Sequence, residues 1–311
     1  MNSQIDTVVL PLDRSALSER AIPIAREYAS RSKSSVVLLS VPHADSGYES
    51  VFSDTQIGIA GAEIQQALER LDEKAQERTR GYLQYRAESL ADSGLRAETR
   101  TCLGAPAAVI AGVAEEYPGS MIIMATHGRG GVRRWMLGSV AEKVLHFTKR
   151  PIMLVPAAAE PVPQTVGRIM VALDGSRLAE RSLATATRWA RTFAAALLMV
   201  HVAPDFGEMA RASSMPLLEF EERYLEWLRS YFTGVQERLG LDDLDVTSEV
   251  LPGGWVVDSL LARSASAAVD VIIMSSHGHG GHAPWALGSV AARVARSAIV
   301  PVLIVPTRET D

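Results

Sequence analysis

Cysteine is almost missing from this chain. Among 311 residues there is one, Cys102, so neither an intramolecular disulfide nor a cysteine-built metal site can form. That scarcity fits a reducing, cytoplasmic compartment, and Cys102 itself reads as a small buried apolar residue. A basic surplus is missing too: 31 Lys and Arg stand against 36 Asp and Glu, and a net charge of −5 gives no global field for holding nucleic acid. Long apolar runs are absent. The best candidate, residues 192–204, falls short of the roughly 18 residues a membrane span needs and contains His201. The opening MNSQIDTVVLPLD has an acid before its apolar run and no basic segment, so it reads as a first strand rather than a signal peptide. What remains, 47% hydrophobic and 22% charged residues, is globular composition and excludes a disordered or collagen-like chain.

The sequence then repeats itself. VVLPLDRSALSERAIPIAREYA from Val8 matches IMVALDGSRLAERSLATATRWA from Ile169, which sets Asp13 opposite Asp174 at an offset of 161. MIIMATHGRGGVRRWMLGSVAEKVLHFTKRPIMLVP from Met121 matches VIIMSSHGHGGHAPWALGSVAARVARSAIVPVLIVP from Val271 at an offset of 150. A period this long indicates two tandem domains, 1–157 and 166–311, rather than a solenoid of 20–50-residue units. The short segment AAAEPVPQT between them has a stiff linker's composition. Within each copy, short β-branched runs alternate with amphipathic stretches, which predicts an α/β fold with a doubly wound parallel sheet of five strands. The first copy is expected to hold strands near 5–12, 35–41, 96–102, 120–126 and 151–155 and helices near 16–31, 63–92, 106–116 and 139–148. Strands near 168–173, 196–202, 246–251, 270–276 and 300–305 are expected in the second. Val36-Val37-Leu38-Leu39 and Val271-Ile272-Ile273-Met274 are apolar throughout, as strands covered on both faces must be. Residues 46–61 read as a loop.

In such a sheet a ligand sits beyond the carboxyl ends of the strands where strand order reverses. Asp13 and Asp174 follow the first strand of each copy. His127-Gly128-Arg129-Gly130-Gly131 and His277-Gly278-His279-Gly280-Gly281 follow the fourth, and Gly138-Ser139 or Gly288-Ser289 then opens a helix. Glycines let backbone N–H groups approach a phosphate, a helix start adds unpaired donors, and an aspartate opposite can accept hydrogen bonds from a ribose or base. Together these parts describe a nucleotide site. Neither GxGxxG nor GxxxxGK[ST] occurs, so dinucleotide-fingerprint and P-loop readings fail. Bland readings stand beside the nucleotide one. Ser139 and Glu142 form a capping box, although Ser289 faces Ala292 at that spacing. The aspartates can be turn residues, and His127 and His277 packed, hydrogen-bonded residues at strand ends.

These residues resemble the universal stress protein family, in its tandem two-domain form, over essentially the whole chain. The family signature G-x2-G-x9-G-[ST] is met as Ala125-x2-Gly128-x9-Gly138-Ser139 and Ser275-x2-Gly278-x9-Gly288-Ser289, with small residues replacing the first glycine. The resemblance implies ATP or another adenine nucleotide in each domain, with Mg2+ carried by the triphosphate. Asp13 and Asp174 would face the nucleoside, and the adenine would lie near Val41 and Val202. Ala125, His127, Gly128, Arg129, Gly131, Gly138, Ser139 and Val140 would line the first phosphate side; Ser275, His277, Gly278, Gly281, Gly288, Ser289 and Val290 would line the second. It also implies pairing of the domains through their last strands, Ile152–Val155 and Val302–Val305, with further homodimerisation left open, and a regulatory role in stress response rather than fast catalysis. A slow ATP hydrolase, with His127 and His277 as the bases at hand, and a nucleotide-free interaction scaffold remain as alternatives.

The copies differ in charge. Residues 1–157 hold 18 basic and 18 acidic residues and residues 158–311 hold 13 and 18, so the whole excess of acid lies in the second copy. Arg129, Arg133 and Arg134 in the first glycine loop give way to His279 and His282 in the second. The first site is therefore expected to bind nucleotide more tightly at neutral pH, and the second to gain as pH falls.

Overall fold

Apolar runs without alternation have to be covered on both faces, and that requirement organises the chain. The computed structural model describes residues 5–42, 60–127, 137–157, 165–213, 215–279 and 287–307. In the first half the elements are β1 (Thr7–Pro11), α1 (Ala16–Glu19), α2 (Ile22–Ser32), β2 (Ser35–Ser40), α3 (Ala60–Ala91), β3 (Ala97–Thr101), α4 (Pro106–Glu116), β4 (Ser120–Ala125), α5 (Ser139–Phe147) and β5 (Ile152–Val155). The second half runs β6 (Arg168–Ala172), α6 (Arg177–Phe193), β7 (Ala196–Val202), α7 (Phe206–Ser213), α8 (Leu217–Leu239), β8 (Val246–Leu251), α9 (Val256–Ser266), β9 (Val271–Ser275), α10 (Ser289–Ser297) and β10 (Val302–Val305).

The ten strands form one sheet in the order β3-β2-β1-β4-β5-β10-β9-β6-β7-β8. Within each half neighbours are parallel, and at the centre β10 runs antiparallel to β5, with Leu303 opposite Met153. Successive strand residues serve opposite core layers. Val8, Leu10, Val36 and Leu38 face a layer closed by α2, α3, α6 and α8, while Val9, Val37 and Leu39 face one closed by α4, α5, α9 and α10. The outer strands β3 and β8 are half exposed and carry Glu98, Arg100 and Glu249, charges that discourage further strand addition.

Two departures from the sequence expectation have local causes. The first helix is split into α1 and α2, because Pro23 lacks an N–H and its ring would clash with the carbonyl of Glu19 in a continuous helix. Ala184 stands at the equivalent position of the second half, and α6 runs unbroken for 17 residues. The second half also inserts the short α7, where Phe206 packs against Phe220 and Tyr224 of α8. Cys102 is half-buried against the second core layer rather than fully enclosed. Most of the expected 46–61 loop lies outside the described residues, and Ala60 and Gly61 already belong to α3. Among the described residues no helix is long and apolar enough to cross a membrane.

Side chains also join the halves. Tyr28 of α2 stacks on Trp189 of α6, with ring centroids 4.6 Å apart, and Phe193 packs on both. Burial pushes the Tyr28 hydroxyl pKa up to about 12. On the opposite face Arg296 of α10 reaches Glu142 of α5 at 3.0 Å.

Candidate functional site: two crevices at the strand-order reversals

Strand order reverses between β1 and β4 in the first half and between β6 and β9 in the second. The aspartates leave β1 and β6 at those points, and the histidine loops leave β4 and β9, so the topology brings together two groups that lie more than 100 residues apart in sequence.

Each aspartate builds a turn. Ser15 donates its N–H (2.9 Å) and its hydroxyl (2.6 Å) to Asp13 Oδ1, and Ser176 N–H donates to Asp174 Oδ1 at 2.9 Å. The two serines then cap the following helices by accepting from Ser18 N–H and Ala179 N–H, each at 3.1 Å. The turn requires a left-handed residue after the aspartate. Gly175 supplies it at φ 84°, and Arg14 adopts it at φ 68° despite its side chain, so the two aspartate turns share one backbone form. Each turn is built on Oδ1 of its aspartate.

In the second crevice Oδ2 of Asp174 is engaged as well. His279 donates its backbone N–H to it at 2.8 Å, and the His279 ring lies 3.3 Å away. The fit is tight: a Cβ on Gly278 would stand 1.9 Å from Asp174 Oδ2. Burial works against the Asp174 charge, but hydrogen bonds from Ser176 and His279 outweigh it and hold this carboxyl below the usual range. The His279 ring therefore sits beside a carboxylate of the protein itself, where a phosphate would otherwise be its neighbour.

The helix starts are equally specific. Gly138 donates to the Thr126 carbonyl at 2.8 Å and Gly288 to the Ser276 carbonyl at 2.9 Å, which closes each glycine loop at its base. Each glycine is the residue before the first helical turn, and neither α5 nor α10 has a side-chain cap. Ser139 and Ser289 are the first helical residues, so the capping-box reading of Ser139 is not realised. The leading N–H groups of both helices have no partner further back in the helix and suit an anion. Val140 and Val290 pack their side chains against the second core layer.

His127 and His277 pack at the strand ends. Each Nδ1 lies 3.0 Å from the preceding hydroxyl, of Thr126 or Ser276. Ala125 and Ser275 end β4 and β9, and the Ser275 hydroxyl donates to the His277 carbonyl at 2.5 Å. Val41 follows β2 and Val202 ends β7, both half-buried. Gly128, Arg129, Gly131 and Gly281 lie outside the described residues.

One buried residue of the second crevice was not among the sequence candidates. His201 of β7 holds the Leu173 carbonyl at 3.0 Å through Nδ1 and meets the Tyr224 hydroxyl at 2.9 Å through Nε2. A carbonyl can only accept, so Nδ1 carries the proton and Tyr224 donates to Nε2. Burial pushes the His201 pKa down, against the Leu173 carbonyl and the Asp174 charge, which raise it. An imidazole held neutral in the fold takes up its proton more readily when unfolded, so its contribution to stability is lost as pH falls below its ordinary value of about 6.5. The urea midpoint is expected to fall between pH 7 and pH 5, and His201→Gln to flatten that fall; an unchanged slope would refute the assignment.

Known proteins agree with this architecture. The family model described as "Universal stress protein family" matches residues 4–156 and again 165–306. A universal stress protein of Mycolicibacterium smegmatis is 29% identical over 191 residues, which is 60% of this chain and 62% of that relative's length. One of Mycobacterium tuberculosis is 29% identical over 220 residues, covering 69% and 70%. Among solved structures, a universal stress protein from Archaeoglobus fulgidus superposes with TM-score 0.69 at 22% identity over 99% of both chains. Two matches in tandem over nearly the whole length settle the point: this chain belongs to the universal stress protein family, as two consecutive copies of its domain.

Proposed function

We propose that the chain is an adenine-nucleotide-binding regulatory protein with one site per half, ATP being the ligand for which the crevices are built. The observation that carries this reading is the coincidence, in both halves, of the strand-order reversal, an aspartate turn and an uncapped helix start whose glycine N–H is bonded to the carbonyl just after the fourth strand. Asp13 and Asp174 would receive the nucleoside beside Val41 and Val202. The backbone at Gly138, Ser139 and Val140, and at Gly288, Ser289 and Val290, would receive the phosphates together with the glycine loops. Domains 1–157 and 166–311 would pair in solution through β5 and β10, with the cytoplasm as the compartment.

The donor set fits a nucleotide-borne ion better than a protein-held one. Among the described residues no group of three or more His, Cys, Asp or Glu converges, so Mg2+ would arrive on phosphate oxygens and water. The two histidines at the strand ends are tied to neighbouring hydroxyls, which favours binding over rapid phosphoryl transfer.

Equilibrium titration of the purified chain with ATP is expected to give two equivalents per chain. Steady-state phosphate release at 1 s⁻¹ or faster, the ordinary kinase range of about 1–100 s⁻¹, would make it an enzyme instead. A chain that neither carries nor takes up adenine nucleotide would be the interaction scaffold.

A further inference from the structure

The two crevices present different walls, and the difference is built by one helix. Positions on α8 and α3 correspond at an offset of 149. β3 pairs with β2 as β8 pairs with β7, with Val36 opposite Ala97 and Leu197 opposite Val246. Tyr82 of α3 donates to Glu19, and Tyr231 of α8 stands beside Glu180, with burial first and the Glu180 charge second raising the Tyr231 pKa. Trp227 therefore corresponds to Arg78, Tyr224 to Ala75, and Gly175 to Arg14.

Trp227 reaches the second crevice directly. Its Cη2 lies 3.0 Å from where a Cβ on Gly175 would be, and that same point is 3.9 Å from the His279 ring. Any side chain at 175 would displace the indole, so the glycine and the tryptophan are complementary. The indole is held from behind by Tyr231, stacked at 5.8 Å, and by Tyr224 at 5.5 Å, which is itself fixed by His201. Even so, Trp227 remains 47% exposed, an unusual position for a large aromatic held this firmly. At the same places the first half carries Arg14 in the aspartate turn and Arg78 on the exposed face of α3.

We propose that Trp227 is the specificity-determining wall of the second crevice, against which the planar base of the ligand stacks, so that affinity at the second site is set by the base and changes little with the number of phosphates. The first site, with arginines at the same positions, selects by phosphate charge. This rests on the adenine-nucleotide reading above, with ATP accepted in both halves, and divides what each half discriminates: the base in the second, the number of phosphates in the first. Stacking on an indole face depends little on ligand charge, whereas arginine contacts scale with it.

The test is calorimetric titration of the full chain with adenosine and, separately, with ATP, for the wild type, Trp227→Ala and Trp227→Phe. Wild type should take up one adenosine per chain. Trp227→Ala should weaken that binding tenfold or more while leaving the tighter ATP site within twofold, and Trp227→Phe should restore most of it. The side chain is partly exposed, so its truncation should leave the fold intact, which an unchanged urea midpoint verifies. If ATP binds but Trp227→Ala leaves adenosine affinity within twofold, the wall is not a selector and the nucleotide reading stands alone. If wild type binds neither ATP nor adenosine, the nucleotide reading falls and the division with it.

Discussion

Trp189→Ala is expected to lower the unfolding free energy by about 3–5 kcal/mol, the usual cost of deleting a large buried aromatic side chain. Trp189 is fully buried, stacked on Tyr28 of the other half and on Phe193 of its own helix. Arg31, from the first half, lies over the Phe193 ring at 5.4 Å, so the cluster is knitted from both sides. Its removal acts on two levels. It opens a cavity in the core layer that spans both halves, and it deletes the largest ring of the contact between α2 and α6, so that among the described residues Phe193 on Tyr28 and Arg31, the four-residue strands and a surface ion pair have to hold the halves together. Surface pairs of that kind contribute at most about 1 kcal/mol. Urea unfolding followed by far-UV circular dichroism should therefore show a lower midpoint and a broadened transition, because the halves lose their cooperativity. Trp255, 75% exposed, is the control, and Trp255→Ala should change stability by no more than about 0.5 kcal/mol. Equal effects at the two tryptophans would show that the Tyr28 stack does not couple the halves.

The repeat makes the architecture legible in the residues themselves. Two copies of an aspartate after a strand and a Gly-Ser before a helix specify where the chain must reverse its strand order, and the sheet places both pairs there. Apolar strands without alternation announce a sheet covered twice, as the two core layers show. The aromatic wall is not legible in the same way, for a physical reason. Phe220, Tyr224, Trp227 and Tyr231 have the spacing of any core-facing helix stripe, and sequence periodicity does not say that the stripe overhangs a crevice. The Asp174 to His279 contact spans 105 residues and depends on a glycine, Gly278, whose missing Cβ leaves room for a carboxylate as well as for a phosphate. In sequence the two uses of that glycine look the same. The break at Pro23, where one helix near 16–31 is expected, follows from the residue type itself, through its missing N–H and its ring.

Gly138→Ala is expected to weaken nucleotide binding in the first half on the order of 100-fold while leaving the second intact, so that the number of tight ATP sites falls from two to one. Gly138 has φ −62° and ψ 145°, a conformation any residue adopts, so the substitution carries no backbone strain of its own. Its cost is contact. A Cβ at Gly138 would lie 2.5 Å from the Thr126 carbonyl oxygen, a backbone atom at the end of β4 that cannot swing aside as a flexible side chain can. That carbonyl also accepts the Gly138 N–H at 2.8 Å, so relieving the clash breaks the bond that closes the loop. The first turn of α5 then moves away from β4, and the N–H groups that would meet the phosphates move with it. A shift of about 1 Å in such a site costs on the order of 100-fold, or about 2.7 kcal/mol of binding free energy. Gly288→Ala is the graded partner: the equivalent Cβ would lie 2.8 Å from the Ser276 carbonyl oxygen, so its effect should be smaller and fall on the other site. Titration of both variants with ATP separates the halves without truncating the chain. Two full-affinity sites in Gly138→Ala would mean that the phosphates are not held at the start of α5.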